Sequence, residues 1–257
     1  MGWKFNPNEI TITNIPIKLQ RLPADFGNFR IVQISDFHLG SWFDKSALLH
    51  VTAVVNKLEP DLIAITGDFI SRDPSVHAQF LIEALSQLRA KDAIVAVLGN
   101  HDHYVNPDII REILKESNIQ ELSNRVYPLR RNSSQLYIAG IDDHLANRDN
   151  LKIVIDHVPY ETTTILLAHE PDYADISAPT GKFDLQLSGH SHGGQICLPY
   201  LGSIYLPPFG RKYPSGIYNI DGMILYTNRG LGASWFRYRY NCPPEISVIS
   251  LLGPYAS

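Results

Sequence analysis

Five short blocks hold most of the residues in this chain that could do chemistry: Asp36-Phe37-His38, Gly67-Asp68, Gly99-Asn100-His101-Asp102, His169 and Gly189-His190-Ser191-His192. As ligands they offer two carboxylates (Asp36, Asp68), one amide (Asn100) and four imidazoles (His38, His169, His190, His192). A fifth imidazole, His101, has Asp102 beside it. Imidazole nitrogen and carboxylate oxygen without thiolate suit divalent ions of the zinc, manganese and iron group. Two such ions ~3.5–4 Å apart repel, so a shared anionic bridge between them is favoured. Taken singly the blocks say little, since Asp-x-His is common in surface loops and Gly-Asn-His-Asp reads as a turn. Their order and their context make them a set.

That context is a series of apolar runs. Residues 31–34, 62–65, 93–98, 165–168 and 185–187 precede the blocks and read as buried strands. Ligands at the carboxyl ends of neighbouring strands converge on one crevice. Between the strands, Asp44 is placed to cap a helix running through Leu58, and Pro60-Asp61 breaks it. Residues 74–90 form a second helix with Phe80, Leu81, Leu85 and Leu88 on one stripe, and Pro107 starts a third through Ser117. After Ile119 the pattern changes to short strands around Val126-Tyr127 and Leu136 to Ala139. Residues 217–220, 223–227 and 246–251 also alternate like strands, with Asp221-Gly222 as a hairpin turn. The expected fold class is α/β, a four-layer α/β/β/α sandwich of two mixed sheets flanked by helices. No linker or charge run divides the chain, so residues 1–257 are expected to form a single domain.

In order and in full, the blocks match D-x-H, G-D, G-N-H-D/E, a lone H and G-H-x-H, and the chain therefore resembles the calcineurin-like metallophosphoesterases. The resemblance implies the same sandwich and two divalent metal ions per chain, with manganese, zinc and iron all open. It implies Asp68 as the bridge, with Asp36, His38 and His192 at one ion and Asn100, His169 and His190 at the other. It also implies attack by a metal-bound hydroxide, with His101 protonating the leaving alkoxide or contacting a phosphate oxygen. Asp102 could hold the His101 ring by hydrogen bonding. Arg72, four residues past Asp68, matches a phosphate-gripping arginine of some branches, and a surface ion pair explains it equally well. Two divalent ions carry four positive charges against two negative ones from Asp36 and Asp68, leaving a centre that attracts a phosphate anion.

The segments after His192 bear on the substrate. The Gly-His-Ser-His-Gly-Gly-Gln-Ile block and the ending Gly230-Leu231-Gly232 to Pro243-Pro244-Glu245-Ile246 resemble a bacterial phosphodiesterase-like subgroup. It includes cell-envelope phosphoesterases and the UDP-2,3-diacylglucosamine pyrophosphohydrolases. Basic and aromatic residues mix there (Arg211, Lys212, Arg229, Trp235, Phe236, Arg237, Arg239), which suits an anionic substrate with an apolar or ring-containing part. Packing explains each aromatic at least as well. Candidate substrate-binding residues are Arg72, His103 and Arg237, with His144 as a further pocket residue; substrate contact and packing are balanced for Trp42-Phe43. His50, His77 and His157 fall in helical or surface segments.

The expected activity is hydrolysis of a phosphodiester or pyrophosphate bond in a nucleotide- or lipid-linked phosphate ester. A phosphomonoesterase is the alternative. A non-catalytic scaffold would be marked by missing ligands, and all seven plus His101 are present. The formal charge of -4 gives no case for nucleic-acid binding. Nor is any obligatory protein partner evident. Cys197 and Cys242 are too few for a disulfide framework. No apolar stretch approaches the ~20 residues of a membrane span, and residues 1–14 lack a signal-peptide core. The default location is cytoplasmic, with transient membrane-surface contact if the substrate carries lipid; a removed export signal would leave no trace.

Overall fold

In the first sheet the strands lie in the order Thr11–Lys18, Glu245–Leu252, Phe29–Ile34, Leu62–Thr66, Ala93–Val97 and Gln120–Glu121. The second runs Gly216–Ile220, Met223–Thr227, Leu185–Ser188, Thr164–Leu167, Ser134–Gly140 and Arg125–Arg131. This computed structural model describes residues 6, 9–40, 42–71, 74–234 and 236–254. Strands Phe29–Ile34, Leu62–Thr66 and Ala93–Val97 pair in parallel, as do Ser134–Gly140, Thr164–Leu167 and Leu185–Ser188. Parallel pairing brings the carboxyl ends of each set, and the motif blocks that follow them, to one edge of each sheet.

Alternation along the strands builds the layers. Ile31, Leu62, Ala64, Val95 and Val97 face Leu136, Ile138, Ile165 and Leu187 of the other sheet. The intervening Val32, Ile34, Ile63, Ile65 and Ala96 pack against helices Lys45–Lys57, Pro74–Leu85 and Pro107–Glu116. On the far side, Leu166, Ala139 and Leu225 meet Val154 of helix Leu151–His157, with Tyr173 and Ala174. Three apolar interlayers separate four layers, so the architecture is the expected α/β/β/α sandwich. Between the sheets Gln33 is fully buried, and its Nε2 donates to Thr66 Oγ1 at 3.1 Å and to Ser188 O at 2.9 Å. That bond ties the last residues of two strands, one from each sheet, just before Gly67-Asp68 and Gly189-His190. Among the described residues no helix is long and apolar enough to cross a membrane.

Helix boundaries follow local chemistry. Asp44 caps the first helix by accepting from Ala47 N at 3.0 Å, and Asn106 caps the helix opened by Pro107. The second helix stops at Leu85, short of Ala90, because Asn56 takes the backbone beyond it: Nδ2 donates to Gln87 O and Oδ1 accepts from Arg89 N. Asp221 and Gly222, at φ 50° and 90°, form the tight turn between Gly216–Ile220 and Met223–Thr227. Several elements were not expected. Thr11–Lys18 is an edge strand, where Pro16 costs no ladder bond. Residues Asn100–Val105 form a short helix rather than a turn, and Cys197–Leu198 pairs with Gly202–Ser203 in a small hairpin. Trp42 and Phe43 are buried in the helix-side core, so packing accounts for both.

Asp61, expected only as a helix breaker, anchors the base of the first sheet. It accepts from Arg30 N at 2.7 Å, Arg131 Nη2 at 2.8 Å and Lys91 Nζ at 3.2 Å. Burial pushes its pKa up, but Arg30 N–H, Arg131 and Lys91 outweigh burial and leave it below the usual value. A lowered folded-state pKa gives stability that is present above the unfolded value of about 3.9 and lost as pH falls through the folded one. Asp61→Asn should therefore cost about 1–3 kcal/mol at neutral pH. The gap to wild type in urea denaturation should close in strong acid; a gap constant with pH would refute the carboxylate's role.

Candidate metal centre

The five blocks meet in one place. Asp36 and His38 follow strand Phe29–Ile34, Asp68 follows Leu62–Thr66, and Asn100 opens the helix after Ala93–Val97. From the second sheet, His169 follows Thr164–Leu167 and His190 and His192 follow Leu185–Ser188. Asp36, His38, Asp68, His169, His190 and His192 are all buried, and Asn100 is 5% exposed. Their ligand atoms form two groups within 4.8 Å, Asp36-His38-His192 and Asp68-His169-His190, and a third group of the same kind joins His38 and Asp68 to His101. Asp68 lies between the first two: its Oδ2 is 3.3 Å from His38 Nε2 and 3.3 Å from His169 Nε2. His192 Nε2 is 3.4 Å from Asp36 Oδ1 and 2.9 Å from His38 Nε2. In the other group His190 Nδ1 is 3.2 Å from His169 Nε2.

Five of these seven residues have left-handed backbone: Asp36 (φ 53°), His38 (47°), Asp68 (57°), His190 (66°) and His192 (52°). Such conformations are uncommon outside glycine and persist where surrounding structure over-determines them. Gly99 is part of that enclosure, because a Cβ there would lie 2.3 Å from Asp68 Oδ1 and 2.7 Å from His169 Cε1.

Hydrogen bonds behind the rings aim their inner nitrogens. His169 Nδ1–H donates to Thr66 O at 2.6 Å, which turns Nε2 toward Asp68. His190 Nε2–H donates to Pro208 O at 2.8 Å, leaving Nδ1 facing His169. His38 Nδ1 meets Ser71 Oγ at 2.6 Å. Burial lowers the His38 pKa to about 3 and holds His192 well below its usual value. Burial raises Asp36 to about 6, whereas in Asp68 it is outweighed by His169, His101 and His38, which hold the carboxyl low. Burial also disfavours a charged His169, but Asp68 and Asp36 outweigh it and raise that imidazole well above the ordinary value.

The donor set fits divalent cations. Imidazole nitrogens face one another and two buried carboxylates, and among the described residues no lysine or arginine is placed between them. Asn100 Oδ1 is a buried acceptor with no hydrogen-bond partner, an arrangement that a cation would satisfy.

His101 and Asp102 divide differently than expected. The His101 ring is half-buried, meets His38 edge-on at 4.6 Å between centroids, and lines an adjoining cavity. Its backbone N–H donates to Asp68 Oδ1 at 2.9 Å. Asp102 does not hold that ring. It is fully buried: Oδ2 accepts from Asp68 N at 2.9 Å and Gly99 N at 3.0 Å, and Oδ1 from Phe69 N at 2.9 Å and Ile70 N at 3.4 Å. As the third residue of its helix it folds back on the loop backbone, a local preference that overrides the contact expected with its chain neighbour.

The expected substrate residues scatter. His103 turns away from the cavity to Asp142, 2.7 Å from Nε2 to Oδ1. His144 packs its ring 4.4 Å from Phe209 and pairs with Asp149 at 3.1 Å. Arg237 is exposed and does not line the cavity. Arg72 and Trp235 lie outside the described residues. The other cations are committed: Arg229 to Glu245 at 2.9 Å, Lys212 to Asp175 at 2.7 Å, and Arg211 Nε to Leu206 O at 3.3 Å. Arg239 is buried over His192, its Nη2 3.1 Å from Nδ1, and donates to the carbonyls of Arg229 and Gly232. Sequence reasoning missed Gln195, which accepts from Ser234 N and donates to the carbonyls of Phe236 and Tyr238, clamping that segment beside the site. Its place in the Gly-Gly-Gln-Ile extension was the available signal.

A family model described as calcineurin-like phosphoesterase matches residues 29–194. The metallophosphoesterase YkuE of Bacillus subtilis is 35% identical, over 96% of this chain and 87% of its own. Phosphodiesterase YaeI of Escherichia coli is 29% identical over 87% of this chain and 82% of its own. UDP-2,3-diacylglucosamine pyrophosphatase LpxG of Chlamydia muridarum is 29% identical over 96% and 91%. The solved structure of TT1561 from Thermus thermophilus shares the fold at 12% identity, with a TM-score of 0.50 over 78% of this chain and 89% of its own.

The four N–H groups on Asp102 make it a support of two loops. Asp102→Ala should lose about 3 kcal/mol or more, since four buried donors lose their acceptor. Replacing the half-buried ring in His101→Asn should cost about 1 kcal/mol or less. Chemical denaturation of both variants decides, and equal losses would remove the distinction.

Proposed function

Since the chain belongs to the calcineurin-like phosphoesterase family, and is thus a metal-dependent phosphoester hydrolase, we propose that it hydrolyses phosphodiester or pyrophosphate bonds with two metal ions bridged by Asp68. The observation that carries the dinuclear reading is Asp68 Oδ2, equidistant at 3.3 Å from an imidazole nitrogen of each group. Asp36, His38 and His192 would hold one ion with Asp68; Asn100, His169 and His190 would hold the other. When bound, the ions supply Lewis-acid polarisation of the phosphoryl oxygens and activation of the attacking water.

The remaining steps fall to the chain itself. His101 is the proton donor to the leaving oxygen, from the cavity wall beside both ligand groups. The second substituent of the substrate occupies the cavity of about 550 Å³ that extends from Asp68 and His101 to Ile204, Tyr205 and Phe236. Among the described residues lining it there is no lysine or arginine. Among the described residues a monoester dianion would find no fixed cation there beyond the ions, whereas an apolar or ring-bearing substituent finds matching surface. This favours a diester or pyrophosphate over a monoester. A nucleotide-linked diacyl sugar, the substrate in the name of LpxG, has this combination of charge and apolar bulk.

Metal analysis and kinetics test the reading together. Asp68→Asn should lose metal and turnover, whereas His101→Asn should keep both ions; a fully loaded Asp68→Asn protein would sink the bridge. On matched nitrophenyl esters, kcat/KM for the diester should exceed that for the monoester by about tenfold or more. A clear preference for the monoester would replace the proposal with a phosphomonoesterase.

The acid role has its own signature. A poor leaving group needs protonation as the bond breaks, and a nitrophenolate does not. His101→Ala should slow an alkyl diester about 10²–10⁴-fold and a nitrophenyl diester far less. Equal losses on the two esters would reassign His101 to phosphate binding.

A further inference from the structure

The hairpin that follows the last motif block turns its largest side chains outward. Cys197–Leu198 pairs antiparallel with Gly202–Ser203, and Tyr200 and Leu201 form the tip, 107% and 80% exposed. Ile204 and Tyr205 continue the apolar surface to the cavity, and Phe236 joins it from the segment held by Gln195; all three are exposed and line the cavity mouth. Contiguous exposed apolar surface of this kind marks a place where something else binds. The hairpin is held out by structure. Cys197 N donates to Tyr240 O at 2.9 Å and Ile204 N to Ile196 O at 3.1 Å. Ser203 Oγ donates to Gly193 O at 3.0 Å, and a Cβ on Gly194 would lie 2.2 Å from Ser203 Cβ.

Charge selects among occupants. The chain as a whole carries -4, yet Asp221 is the only acid between His192 and Glu245. Arg237, next to Phe236, is exposed. Tyrosine, leucine, isoleucine and phenylalanine with an exposed arginine and no carboxylate suit the headgroup zone of an anionic bilayer. A second copy of a net-acidic chain has no such complementarity. The patch is also continuous with the cavity proposed to receive the substrate's second substituent.

We propose that the tip residues Tyr200 and Leu201, with Ile204, Tyr205 and Phe236, insert into an anionic lipid surface and open the cavity to the apolar part of a membrane-borne substrate. The lipid contact is independent of the proposed activity; delivery to the cavity rests on the phosphodiester reading. The contact predicts that metal-loaded wild type cosediments with phosphatidylcholine vesicles, and more so when they contain phosphatidylglycerol. The double substitution Tyr200→Ser with Leu201→Ser should lower the bound-to-free ratio about tenfold or more. Its circular dichroism and melting midpoint should match wild type, since both side chains are exposed; Ile204→Ser gives a second, separate loss.

Delivery is read with nitrophenyl phosphodiesters carrying an ethyl or an octyl group. The octyl-to-ethyl ratio of kcat/KM should be about ten or more in wild type and fall toward one in Phe236→Ser. Wild type that stays in the supernatant, or tip variants that still sediment, overturn the lipid contact. Self-association that is lost in the tip variant, without vesicle binding, assigns the patch to a second copy and also overturns it. Turnover of both diesters with no chain-length preference overturns delivery alone. No turnover of either diester, with vesicle binding intact, overturns the phosphodiester reading and leaves the lipid contact standing.

Discussion

The buried carboxylate of Asp102 is the joint on which the metal centre depends. It receives N–H groups from Asp68, Phe69, Ile70 and Gly99, residues of two loops that leave neighbouring parallel strands. Backbone donors at the end of a buried strand have no ladder partner, and leaving them unpaired costs more than an average hydrogen bond returns. One side chain satisfies four of them and so fixes the separation of the loops. Asp68 Oδ1 then accepts the His101 N–H, and Oδ2 is left to face His38 and His169. Burial, followed by Asp68, pushes the Asp102 pKa up to about 7, while the Gly99 and Phe69 N–H groups pull against that rise. The joint is thus electrostatically costly as well as necessary.

Backbone strain is the second constraint. Asp36, His38, Asp68, His190 and His192 all sit at positive φ, at a cost of order 1–3 kcal/mol each. Those costs are offset by the three apolar interlayers and by cross-sheet ties such as Gln33 to Ser188. The sharp left-handed turns have a geometric use. They let Asp36 and His38 reach one ligand group from a single loop, and His190 and His192 reach one group each.

Much of this was legible in the sequence because it is local. Strand Leu62–Thr66 is an unbroken apolar run, and helix Lys45–Lys57 has its cap at Asp44, so both could be read from residues nearby. The convergence of the motif blocks followed from their positions after parallel strands. What escaped depends on distant partners. Strand Thr11–Lys18 exists because Glu245–Leu252 lies beside it, and nothing in its own alternation marks it strongly. The partner of His103 is Asp142, and that of Arg229 is Glu245. Such pairings are set by the packed fold, and no spacing along the chain reveals them. The orientation of Asp102 was misread for a related reason: adjacency to His101 suggested a contact that helix geometry forbids.

The fate of the arginines links the fold to the proposed selectivity. Arg131 lies between Asp61 and Asp92 and over the rings of Phe26 and Phe29, Arg229 holds Glu245, and Arg239 caps carbonyls behind His192. Each guanidinium so placed stabilises the scaffold and is withdrawn from the substrate. Among the described residues the cavity's far wall is built from Ile204, Tyr205, Pro207 and Phe236 with no lysine or arginine, and the proposed ions would concentrate positive potential at its other end. Electrostatic attraction then acts on the reacting phosphoryl group, and desolvation of apolar surface acts on whatever is attached to it. A substrate with its charge at one end and its bulk at the other satisfies both forces at once; a small dianion satisfies only the first.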